Sequence, residues 1–132
     1  MYVGVAQLDL VIDASHSLKE KRMVIRRIKD RVRERLGVIV NEVGALDQWQ
    51  RAQLGFAVVS GERGKAGELV DEVVRCVREN GDAQLVAVAR ELQTFDAEAQ
   101  PYVAVDDRTG AGDKAQASDD WIPEAWREDG KA

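Results

Sequence analysis

The chain has 132 residues, 45% of them hydrophobic and 33% charged, with a formal net charge of −5, a length that suits one domain with a tail. Neither a signal-peptide pattern nor a run of about 18 apolar residues is present, so neither export nor a membrane span is expected. Cys76 is the one cysteine, which excludes an internal disulfide and fits a reducing cytoplasm.

Residues 3–12, VGVAQLDLVI, alternate as a strand does, with Ala6, Leu8, Leu10 and Ile12 on one face and Val3, Val5, Gln7 and Asp9 on the other. Ser17 with Glu20 three residues later is a capping box that starts a helix, and Gly37 ends it. VIVNEVG (38–44) reads as a second strand and QLGFAVVSG (53–61) as a third, with Leu54, Phe56 and Val58 on one face. A second helix is expected over 62–80, with Leu69, Val73, Cys76 and Val77 inside and Asn80-Gly81 as its stop. QLVAVARELQTF (84–95) reads as the last strand. The order β-α-β-β-α-β predicts an α+β, ferredoxin-like sandwich: a four-stranded antiparallel sheet with both helices on one face. Beyond residue 96 the apolar periodicity is lost, and residues 96–132 carry 4 basic and 10 acidic side chains. Such a composition cannot bury enough apolar surface to offset ordering entropy, so a flexible acidic tail is expected, with a Trp-containing segment, DDWIPEAWRED, at 119–129.

The first helix carries the strongest functional signal. Residues 15–36 hold nine Lys or Arg against three Asp or Glu. Leu18, Ile25, Ile28, Val32 and Leu36 recur at helical spacing and form the core stripe. Lys19, Arg22, Arg26, Lys29 and Arg33 fall within an arc of about 80° beside it. Glu20, Asp30 and Glu34 are expected on the far side, among Arg27, Arg31 and Arg35. Like charges at i,i+4 repel by a few tenths of a kcal/mol, so a segregated basic ridge points to a polyanion. Between strands two and three, GALDQWQRA (44–52) sets Trp49 beside Arg51. Trp49 at a hairpin tip can stack on an unpaired base, or it can fold over the core edge while Asp47 and Arg51 pair.

SHSLKEKR together with NEVGALDQWQRAQLGFAVVS resembles the YlxP-like family of small bacterial proteins of unknown function. The match rests on SLKEKR (17–22), EVG (42–44) and the run Asp47, Trp49, Gln50, Arg51, Ala52, in that order, and it covers about residues 1–95. The resemblance implies a ferredoxin-like fold, in agreement with the order of elements. Genes of the family often sit among genes for transcription and translation factors, so it also implies an RNA- or ribosome-related role. No activity is established for the family, so the resemblance carries over no catalytic residue.

The remaining motifs are weaker. Ser15-His16-Ser17 holds the one histidine, but neighbouring side chains in an extended segment diverge and do not face each other. GERGKAG (61–67) departs from a P-loop at positions 59 and 66. No Cys/His cluster suggests a metal, and no cofactor site is expected. The outward row on strands one and three lacks the aromatics with which an RRM sheet reads RNA. Val3, Val5 and Val59, with Ile39 and Val43 beside them, make that open face a candidate homodimer contact. The expectation is a non-enzymatic, cytoplasmic module that binds structured RNA or a ribosomal subunit through Lys19, Arg22, Arg26, Lys29, Arg33, Trp49 and Arg51. The alternative is a protein-interaction or homo-oligomeric scaffold without nucleic-acid binding.

Overall fold

The computed structural model describes residues 1–99 and 105. The alternating segments become strands β1 (Tyr2–Val11), β2 (Asn41–Gly44), β3 (Arg51–Ser60) and β4 (Gln84–Thr94), and the 3.6-period segments become helices α1 (Leu18–Leu36) and α2 (Arg63–Arg78). The sheet order is β2-β3-β1-β4, antiparallel throughout. This is the β-α-β-β-α-β ferredoxin-like fold. Residues Met1–Asp96 form one compact unit. The expected acidic tail, with its Trp-containing segment, lies outside the described residues apart from 96–99 and 105; Ala97–Ala99 form one turn of 3-10 helix.

Local chemistry sets the ends of α1. Ser17 is extended, and its Oγ accepts the Glu20 N–H at 3.1 Å. Gly37 adopts φ 68, a left-handed conformation that side chains resist, and its N–H closes on the Arg33 carbonyl at 2.9 Å. Ala6, Leu8, Leu10 and Ile12 of the first strand region meet Ala52, Leu54, Phe56 and Val58 of β3 beneath Ile25, Ile28 and Val32 of α1 and Val70, Val73 and Val77 of α2, and all are buried. Each Val, Leu, Ile or Phe among them taken from water contributes about 1.5–3 kcal/mol before entropy is counted. Gly4 lets α2 approach the sheet: a Cβ there would stand 2.5 Å from Val70 Cγ2 and 3.1 Å from Val58 Cγ2.

Two expectations are corrected. The second strand begins at Asn41, not at residue 38; Val38 and Val40 are buried without joining the ladder, and their alternation with exposed Ile39 imitates a strand. On α2 the core row is Ala66, Val70, Val73, Cys76 and Val77. Leu69 sits at the margin of that row, packed against it but only partly buried.

Candidate nucleic-acid interface

The polar surface of α1 has two flanks, distinguished by what lies opposite each. On one flank Arg27 meets Asp82 at 2.7 Å and Arg35 meets Glu79 at 3.3 Å, both partners lying at or just beyond the end of α2. These pairs are more than half exposed, so each is worth about 1 kcal/mol or less. On the other flank Arg22, Arg26, Lys29 and Arg33 line a groove of about 380 Å³ with Ile25, Asp30 and Glu42, between α1 and the edge strand β2. Among the described residues, the side chains of Lys19, Arg22, Arg26, Lys29 and Arg33 make no ion pair. From Lys19 to Arg33 the rise is roughly 21 Å at 1.5 Å per residue.

The flank is not purely basic. Asp30, expected on the far side, lines the groove with the four cations. At 100° per residue it lies only about 20° beyond Lys19, close enough for its carboxylate to reach either flank. It also borders the mixed groove with Arg27, Arg31, Glu34 and Arg35. Glu42 is already engaged, because it neutralises Lys21.

Lys21 lies outside the basic ridge and yet is the best-anchored charge on α1. It is 1% exposed and occupies the core stripe between Leu18 and Ile25. Its Nζ donates to the carbonyls of Ala45 at 2.8 Å, Arg51 at 3.3 Å and Leu46 at 3.4 Å. Glu42 Oε2 approaches the same nitrogen at 2.8 Å. An ammonium has three protons for these four oxygens, so at least one of the contacts is held by charge alone. Ala45 stands at φ 55, a left-handed conformation that costs a non-glycine residue about 1–2 kcal/mol. Its carbonyl takes the shortest of the Lys21 bonds, which holds the strained residue in place.

The β2–β3 connection is thereby fastened to the start of α1. Gln50 adds to this: its carbonyl accepts the Ile12 N–H at 2.9 Å, and its Nε2 donates to the carbonyls of Ser15 at 3.3 Å and Asp13 at 3.4 Å. Glu20 Oε2 accepts the His16 N–H at 2.6 Å. On this scaffold Trp49 lies edge-to-face against His16, with ring centroids 6.3 Å apart and planes at 64°. Trp49 stays 46% exposed. Asp47 and Arg51 do not pair with each other, so the pairing expected of a folded-over Trp49 is not formed. Trp49 therefore stands at the Lys19 end of α1, nearly half exposed. The SLKEKR block meets the EVG and D-x-W-Q-R-A blocks here, some 20 or more residues further along the chain.

The open face of the sheet carries Val3, Val5, Gln7 and Asp9 from β1 and Gln53, Gly55, Ala57 and Val59 from β3, in register. Val59 is 60% and Val43 53% exposed. Ile39 is exposed too, but it precedes β2 and does not belong to the ladder. Cys76 is buried in the core. Among the described residues, no helix is long and apolar enough to cross a membrane.

Fold and site together define a ferredoxin-like α+β domain with one unpaired basic helix flank and a fastened, Trp-bearing hairpin. Residues 3–90 match the family described as Protein of unknown function (DUF503), and the chain belongs to that family. The chain is 43% identical over 61 residues to the uncharacterized protein YlxP of Bacillus subtilis (strain 168). That match spans 46% of this chain and 66% of the relative, just under two thirds of its length. A solution NMR structure of a de novo designed protein with a ferredoxin fold aligns over 80% of this chain and 96% of its own, at 11% identity and a TM-score of 0.42.

Proposed function

We propose that this domain is a non-enzymatic, cytoplasmic RNA-binding module whose partner is a structured RNA or a ribosomal subunit. Lys19, Arg22, Arg26, Lys29 and Arg33 grip successive phosphates, and Trp49, with Arg51 beside it, receives an unpaired base. The observation that carries this reading is the division of α1: on the flank facing α2, Arg27 and Arg35 have carboxylate partners, whereas among the described residues Arg22, Arg26, Lys29 and Arg33, which line the groove beside β2, and Lys19 make no ion pair. Unpaired cations held three and four residues apart repel one another, and a phosphate backbone removes that repulsion while releasing counterions.

The test is binding to ribosomal subunits and to a structured RNA across a salt series. The wild type is compared with a variant carrying Arg22→Glu, Arg26→Glu and Lys29→Glu. A log–log slope of roughly −3 to −4 is expected for about five neutralised phosphates, with binding lost in the variant. Absent binding at physiological salt, or binding indifferent to the three changes, would overturn the reading. A scaffold role through the open face rests on exposed Val43 and Val59; for that role, Val59→Glu would abolish self-association and leave RNA affinity unchanged.

A further inference from the structure

The two edges of the sheet are built differently. The β2 edge is four residues long and its pairing slips between Glu42 and Gly44. The other edge, β4, is eleven residues long and pairs with β1 along its whole length. Among the described residues no strand meets its outer side. A row of backbone N–H and C=O groups on a long edge is a template for another strand, and proteins usually guard it with Lys, Pro, bulges or brevity. Gln84–Thr94 contains neither Lys nor Pro. Its bulge lies near its start, where Asp9 pairs with Ala87 but Leu10 pairs with Leu85, leaving Val86 as the extra residue. Its one cation, Arg90, is drawn toward α2 by Asp71 at 3.0 Å and the Gly67 carbonyl at 3.5 Å. Val86 and Val88 are 48% and 37% exposed.

We propose that β4 pairs antiparallel with β4 of a second copy, joining two four-stranded sheets into one of eight strands across a twofold axis. Charge and the bulge together choose the register. A twofold at Arg90 or Glu91 sets like charges directly opposite each other, which is unfavourable. A twofold at Val88 brings the Val86 bulge opposite Arg90 and breaks the ladder after one pair on each side. A twofold at Ala89 gives a regular ladder from Ala87 to Glu91. Ala89 then faces itself, Val88 faces Arg90, whose charge Asp71 already answers, and Ala87 faces Glu91. This axis runs perpendicular to the sheet, so the helices of both copies stay on one side. The Val88 side chains join the inner face, where each is now incompletely covered. The contact is isologous and closes on itself, so it stops at a dimer.

The test uses the full chain. Residues opposite each other at the axis have Cα atoms about 4.5–5.5 Å apart, inside the roughly 4.4–6.8 Å span of a disulfide. Ala89→Cys is expected to cross-link into a covalent dimer under mild oxidation. Val59→Cys, on the open face, is expected to remain uncross-linked, as is the wild type, whose Cys76 is only 6% exposed. Light scattering should give twice the chain mass for the wild type at tens of micromolar, and the single-chain mass for Val88→Lys with an unchanged circular dichroism spectrum. A monomeric wild type at these concentrations would overturn the proposal. Cross-linking of Val59→Cys without Ala89→Cys would overturn it as well, placing the dimer on the open face instead.

Discussion

Replacing Lys21 with Met tests whether the buried ammonium holds the hairpin to α1. The change keeps most of the side-chain volume and removes the charge. One short hydrogen bond at 2.8 Å, two long ones at 3.3 and 3.4 Å, and an ion pair at 2.8 Å disappear together. Leaving a buried acceptor unpaired costs about 1–3 kcal/mol, and removing one partner of a buried ion pair costs about 3–5 kcal/mol. The Glu42 side chain keeps 19% exposure and recovers some hydration. The net loss is therefore expected near the lower end of that range, about 3–4 kcal/mol. Set against a typical total of about 5–15 kcal/mol, that is a large fraction. Urea unfolding measures it, and the melting temperature should fall by roughly 15–25 °C for a domain of this size. Glu42→Gln should cost less, since Lys21 keeps its carbonyl partners, and the double variant should show a coupling of about 1 kcal/mol or more. A Lys21→Met protein within about 1 kcal/mol of wild type would refute the assigned role.

The other expectations are smaller in scope. Gly4→Ala should cost about 1–3 kcal/mol by overpacking; because the clash is with the Val70 side chain, adding Val70→Ala should recover part of that loss in the same unfolding assay. Ser17→Ala removes the N-cap acceptor of α1 and should cost about 1 kcal/mol, visible as a shifted denaturation midpoint with an unchanged slope. Lys29→Gln should reduce the magnitude of the RNA salt slope by about 0.7–0.9, with no change in stability beyond about 0.5 kcal/mol. Trp49→Ala should weaken binding to unpaired RNA by about 1–3 kcal/mol while leaving the salt slope unchanged, and an unaltered affinity would remove Trp49 from the interface.

Features that depend on near neighbours were legible in the residues alone. The Ser17 oxygen and the Glu20 amide lie one turn apart, and Gly37 is free to take a positive φ, so the ends of α1 could be placed from residue types alone. Alternation assigned β1 and β3, and their observed register keeps Leu8 opposite Leu54 and Ala6 opposite Phe56. The same logic overextended β2, because Val38 and Val40 are buried by packing and not by pairing, a distinction that alternation cannot carry. It favoured Leu69 over Val70 because residue type is a poor guide at the margin of a helical stripe.

Tertiary structure decided what depends on distant partners. A lysine at a core position of α1 is legible in the spacing from Leu18 to Ile25, but burying it is tolerable only because four oxygens from residues 42, 45, 46 and 51 converge on it. Those oxygens belong to residues 21–30 positions further along the chain. Which arginines of α1 are neutralised likewise depends on where the fold sets Asp82 and Glu79. The basic flank could be read as composition in the sequence; that it is unpaired and open beside β2 follows from the packing of α2 on the other side.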